Sequence, residues 1–173
     1  MRPRVLGIGI AVVVLVAAVV VAASATFGTR HGGPFDGYGK VGVAWPAAIG
    51  DSVTWAMPLP DNPTTTDILI DSITPAGVVG LEVLGVLVST QGCAALPTIS
   101  TTFPPSGVSA TVPQGAVLAA LSQPCALHAL LGVRRLPGSA TGRIEGLRIR
   151  YHVGGIAYED TLPWTLEVRE PGT

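Results

Sequence analysis

The chain predicts an all-β protein, an antiparallel β-sandwich of immunoglobulin-like layout, preceded by one N-terminal transmembrane helix. Three observations carry that expectation. An uncharged stretch of nineteen residues, 5–23, opens the chain. From Val41 onward apolar residues recur with a period of two, and no amphipathic helix of helical period is visible. The 15 Pro and 22 Gly residues break the remainder into short runs, as a many-stranded sheet protein requires.

Residues 1–4 form a short basic stub with Arg2 and Arg4. The run 5–23, built of Val, Ala, Leu, Ile and Gly, would span about 28 Å as a helix, close to the ~30 Å hydrocarbon core of a bilayer. Its length favours a retained anchor over a signal-peptide core, although Ala23-Ser24-Ala25 also fits a small-x-small cleavage site after Ala25. The alternative is therefore a secreted chain. The positive-inside rule puts the N-terminus in the cytoplasm and the rest outside. Residues 24–39, with Gly28, Gly32, Gly33, Gly37 and Gly39, read as a flexible linker that contains a solvated His31. Residues 40–170 are expected to form one extracytoplasmic domain with a single core.

Within that domain Val41, Val43 and Trp45 alternate with small residues, and Val53, Trp55 and Met57 repeat the pattern. Ile68 and Ile70 share a face of a strand ending near Ile73. Residues 79–88 are apolar on both faces, which suits a central strand with a bulge at Gly80 or Gly85. Residues 91–114 form a long Pro-rich connection, unusual in a compact domain unless functional or pinned, with room for a hidden strand near 108–112. Leu127, Ala129, Leu131 and Val133 mark the next strand, and residues 137–142 a turn. Leu147, Ile149, Tyr151 and Val153 then lead to Gly154-Gly155, a two-residue hairpin signal. Ile156 and Tyr158 begin the return, and Trp164, Leu166 and Val168 end the chain. Arg148 and Arg150 are placed to pair with Glu159 across the hairpin.

Charge and cysteine content narrow the function classes. Residues 26–173 hold eight basic residues (ten less Arg2 and Arg4) against eleven acidic ones, a formal charge of −3 with no basic block. Nucleic acid is not an expected partner. The expected partners are the membrane, through the N-terminal helix, and a protein of the envelope; oligomeric state is left open. Cys93 and Cys125, an even pair outside the cytoplasm, predict a structural disulfide that would pin the long connection.

Several residues could carry chemistry. His128 and His152 fall on polar-facing strand positions, and three or four convergent ligands for a metal are not evident from spacing. No His lies beside Cys93 in sequence. Asp51, Asp61, Asp67 and Asp71 cluster without calcium-loop spacing and suit turns. The expectation is therefore no metal, no cofactor and no catalytic set. The block Gly50-Asp51-Ser52-Val53-Thr54 resembles the nucleophile block of the GDSL (SGNH) hydrolases, which implies Ser52 as the nucleophile of an exported hydrolase. The family's D-x-x-H has no counterpart: the residue three before His128 is Cys125, and three before His152 stands Ile149. In layout and in its Val/Ala/Gly/Pro-rich, Lys-poor composition the chain resembles the single-pass, Val/Ala-anchored envelope proteins of high-GC Gram-positive bacteria. The favoured function is a membrane-anchored binding or structural domain, with recognition on loops 58–67 and 97–112. The hydrolase and an accessory subunit of a membrane complex stand as alternatives.

Overall fold

In a computed structural model of the chain, the described residues are 29–96 and 98–172. The expected membrane segment 5–23 lies outside them. Among the described residues no helix is long and apolar enough to cross a membrane.

The strands are β1 (Val41–Pro46), β2 (Ser52–Pro58), β3 (Ile68–Ala76), β4 (Leu81–Ser89), β5 (Ile99–Ser100), β6 (Val117–Leu118), β7 (His128–Arg135), β8 (Thr141–Ile144), β9 (Gly146–Val153), β10 (Ile156–Leu162) and β11 (Trp164–Arg169). They form three sheets, ordered β1-β11-β8, β10-β9-β3-β6 and β4-β7-β2-β5. The fold is thus all-β and mainly antiparallel, an arrangement consistent with a β-sandwich. One pairing departs from the expectation: β1 runs parallel to β11, from Val41 opposite Trp164 to Pro46 opposite Arg169.

One core joins the sheets. Val53, Trp55 and Met57 of β2 meet Ile68 and Ile70 of β3, Leu147 and Ile149 of β9, and Leu166 and Val168 of β11, all buried. Two sheets are linked by a bent hairpin. β8 passes into β9 across Glu145, β10 into β11 across Pro163, and each strand pair is antiparallel. The bend is tight, since a Cβ on Gly146 would stand 2.8 Å from the Leu162 carbonyl oxygen. At the other end Gly154 and Gly155 both take positive φ (+56° and +82°), as a type I′ turn demands. Arg148 and Arg150 reach Glu159 at 3.6 and 2.5 Å, as the alternation predicts.

Two sequence expectations are corrected. Residues 79–88 were expected to hold a central strand, but β4 is an edge strand; β7 and β2 are the central pair. The predicted bulge is present, between Val83 and Gly85. Second, the described part of the Gly-rich linker is docked. Phe35 is 1% exposed and packs on Tyr151, with ring centroids 4.7 Å apart. Arg30 bridges to β10 through Ala157 and Glu159, and Gly32 N–H donates to Asp160. His31 sits on the Glu159 carbonyl at 2.7 Å. A single aromatic ring with somewhere to go outweighs the conformational freedom of the glycines around it.

The loops at 58–67 and 98–112 also make contacts with the strands. Asn62 is fully buried, its Nδ2 lying 2.9–3.1 Å from the carbonyls of Thr66, Leu118 and Ala119, while its Oδ1 accepts from Thr64. The long connection folds over the outer face of β2 and β7. There Leu96, Val108 and Ala110 pack on Ala56 and Leu130 as a second small core. Phe103 covers Gly132 so closely that a Cβ there would enter its ring. Ser52 Oγ and Thr54 Oγ1 donate to the carbonyls of Thr101 and Thr102, and Val88 exchanges both backbone hydrogen bonds with Thr111. The strand expected near 108–112 is reduced to that one bridge.

Candidate site at the disulfide and the free edge of β2

Strand β5 has two residues and pairs only with Thr54 and Trp55 of β2. Past Ala56, whose N–H still donates to Thr98, the β2 edge is not covered by β5. A cavity of about 280 Å³ lies at this edge. Val41 and Trp164 of the parallel pair form one wall, Trp55 and Met57 of β2 another, and Leu96, Cys93 and His128 close the end. Thr98, Pro58 and Cys93 are exposed and put the cavity in reach of solvent.

The Cys93–Cys125 disulfide, with Cα atoms 5.5 Å apart, staples the start of the long connection to the segment entering β7. His128 is the first residue of β7, opposite Pro58 of β2 and Ser89 of β4. It is 2% exposed, not polar-facing as the alternation suggested, because the connection roofs that face. Its Nε2 lies 3.3 Å from Cys93 Sγ. A disulfide sulfur carries no proton and can only accept, so Nε2 bears the hydrogen and Nδ1 is left a lone-pair acceptor. Burial lowers the His128 pKa and keeps the ring neutral.

Among the described residues, four buried side-chain atoms lack a hydrogen-bond partner, and two of them, His128 Nδ1 and Trp164 Nε1, belong to residues lining this cavity. The indole N–H of Trp164 is a donor only. The cavity is thus mainly apolar, and the two orphaned atoms are buried within the residues that form its walls. Each such group costs about 1–3 kcal/mol when left without a partner.

The other candidates are dispersed. Ser52 opens β2 with its Oγ bonded to Thr101 O. The three His rings are engaged elsewhere: His31 with Glu159 O, His128 with Cys93 Sγ, His152 with Asp71 Oδ2 at 2.8 Å. Asp61 accepts from Tyr38 at 2.8 Å, and burial, reinforced by this bond, pushes the Tyr38 pKa up to about 12. Asp67 accepts from Ala120 N–H, and the Asp51 N–H makes a turn bond to Ala48. These aspartates do not share one site.

Cys93, Cys125 and His128 bring three ligand-type atoms within 4.8 Å of one another, a convergence that sequence spacing had not suggested. With the sulfurs bonded to each other they offer no thiolate to a metal. Sequence reasoning missed His128 and Trp164 as site residues. The signal for His128 was its position three residues after Cys125. For Trp164 it was a large polar-tipped ring at a strand start directly after Pro163. No protein-family model matches the chain, and no curated protein matches it.

Proposed function

We propose that the protein is a membrane-anchored extracytoplasmic binding domain of the cell envelope. The observation that carries this reading is the coupling of a nineteen-residue uncharged run behind Arg2 and Arg4 to a disulfide-bonded all-β domain. Disulfides persist in oxidising compartments, which agrees with export. The mainly apolar cavity at the β2 edge favours binding over a purely structural role. The segment 5–23 serves as the transmembrane helix, with the N-terminus inside and the domain outside. The sandwich is immunoglobulin-like in its layering alone: an immunoglobulin sheet joins its first, second, fifth and fourth strands, whereas here the four-stranded sheets run β10-β9-β3-β6 and β4-β7-β2-β5.

The test is fractionation followed by external protease on intact cells carrying a C-terminal epitope. The expected result is a membrane-fraction protein whose epitope is digested from outside. Recovery in the cytosolic fraction, or protection of the epitope while other outer-face proteins are digested, rejects the reading.

A further inference from the structure

We infer that Cys93, Cys125 and His128 become a zinc site once a dithiol reductant has opened the disulfide, so that the bridge and the metal are alternative states of one place in the fold. This second state goes beyond the proposed function and exists in either compartment; the redox poise around the protein decides which state prevails.

Convergence comes first. The Sγ atoms of Cys93 and Cys125 and a ring nitrogen of His128 all lie within 4.8 Å of one another. Tetrahedral zinc, with Zn–S of about 2.3 Å and Zn–N of about 2.0–2.1 Å, sets two sulfurs ~3.8 Å apart and a sulfur and a nitrogen ~3.6 Å apart. Cys93 Sγ and His128 Nε2 already stand at 3.3 Å. Once the S–S bond is broken only the sulfurs must part, and Cα atoms 5.5 Å apart leave the side chains that room. Placement comes next. His128 is fixed in the sheet between Pro58 and Ser89. Cys93 lies between the end of β4 and Thr98, whose carbonyl accepts from Ala56 N–H, so its segment stays tied at both ends when the bridge opens. Access is from the sulfur side: Cys93 is exposed, and a Cβ on Gly92 would meet nothing within 4 Å. The fourth position therefore takes water, the layout of an open zinc site with three protein ligands. Thiolate and imidazole select zinc over calcium or magnesium. Two thiolates also cancel the charge of Zn2+, which suits a place walled on one side by Met57 and Leu96.

A thiolate of the reductant attacks the exposed Cys93 Sγ, the S–S bond breaks, and Cys125 leaves as a thiolate that takes up a proton. The reductant's second thiolate then attacks its own sulfur in the mixed disulfide and frees Cys93. Two electrons and two protons have passed to the protein, and the dithiol has become a disulfide. Zn2+ displaces the two thiol protons. At His128 the hydrogen moves from Nε2 to Nδ1, which frees the Nε2 lone pair for the metal and leaves the ring neutral.

The experiment uses the full chain in detergent micelles, reduced with a phosphine, freed of reductant and kept under argon. The probes are Co2+ and Zn2+ alone. Equimolar Co2+ should give the visible bands of a tetrahedral ion with thiolate-to-cobalt charge transfer, and equimolar Zn2+ should bleach both; the oxidised chain should give neither. X-ray absorption of the zinc-loaded chain should show two sulfurs and an imidazole nitrogen at the metal. His128→Gln should weaken Zn2+ about tenfold or more, since even the outer partners of metal ligands are worth that much. His152→Gln, on a ring bonded to Asp71, should leave the affinity unchanged. Unfolding the reduced chain in urea should weaken Zn2+ on the order of a hundredfold, which separates a site built by the fold from two free thiols. Circular dichroism checks the fold of each variant, and should His128→Gln unfold, the imidazole count on the wild type decides. The inference is overturned by a reduced chain without the tetrahedral spectrum, by fewer than two sulfurs or no imidazole at the metal, by a folded His128→Gln of unchanged affinity, or by equal affinity of folded and unfolded chains.

Discussion

Replacing Cys93 and Cys125 together by Ser tests what the disulfide does for this fold. The two residues are 32 apart in sequence. In the chain-entropy model, opening a loop of that length restores about 3.7 kcal/mol of conformational freedom to the unfolded chain. Typical domains are stable by only ~5–15 kcal/mol, so the variant should lose a quarter or more of the total. The folded state should change little, because the long connection keeps its bonds from Ser52, Thr54, Ala56 and Val88 and its packing on Leu130. Urea denaturation of the oxidised wild type and the double variant at neutral pH reads the difference directly. The midpoint should fall, and the slope should rise as the unfolded chain expands. A loss below about 1 kcal/mol would refute the unfolded-state account. So would rapid native-state proteolysis between residues 91 and 116, since it would mean that the bridge holds the connection in place and the other tethers do not.

Other outcomes follow from single contacts. Asn62→Ala should cost about 1–3 kcal/mol, because the buried carbonyl at Leu118 loses its donor and the bonds to Thr66 and Ala119 go with it; thermal melts check it, and a change within error removes Asn62 as the organiser of loop 58–67. Gly132→Val should destabilise by about 1–3 kcal/mol through collision with Phe103, and adding Phe103→Ala should recover part of the loss; strict additivity would deny the contact. The His128 pKa is depressed by burial, so the proton prefers the unfolded chain. Its contribution to stability is full above the ordinary histidine range and disappears as pH falls through the folded value. His128→Gln should therefore flatten the acid limb of a stability-versus-pH curve, and an unchanged limb counts against the buried neutral ring. Tyr38, raised to about 12, works at the other end. Its contribution is complete below pH ~10 and is lost as pH rises towards 12. Tyr38→Phe should shallow the alkaline decline in urea midpoints above pH ~10, the remainder coming from Tyr151, which burial and Asp160 also raise; an unchanged slope counts against the Tyr38–Asp61 contact.

Local periodicity made several elements readable in advance. β9 and β10 were visible because alternation, a Gly-Gly turn and facing Arg and Glu residues all agree at one place. β2 and β11 are visible from period-two alternation alone. What escaped depended on distant partners. The parallel pairing of β1 with β11 joins segments more than a hundred residues apart and leaves no local mark. The burial of His128 comes from a roof made of Leu96, Val108 and Ala110, apolar residues scattered through a Pro-, Ser- and Thr-rich stretch that reads as exposed loop. β4 was taken as central from its two apolar faces, yet β7 has the same property more strongly, with Leu130 and Leu131 both fully buried. The cavity is legible only in three dimensions, because its lining comes from β1, β2, β7, β11 and the disulfide loop, segments far apart in sequence.

The docking of residues 29–39 changes how the domain would stand on a cell. Had all of 24–39 been loose, the domain could drift some 20 Å or more from the headgroups. With Arg30 fastened to the rim of β10, only residues 24–29 separate the proposed span from folded structure, six residues that reach about 20–22 Å at full extension against roughly 55 Å for sixteen. An anchored copy would then ride low and in a restricted attitude, its β9–β10 hairpin side held towards the bilayer. A soluble copy prepared by cutting at residue 40, where the composition changes, would lose Phe35 from its interior and bare a strand margin open to self-association.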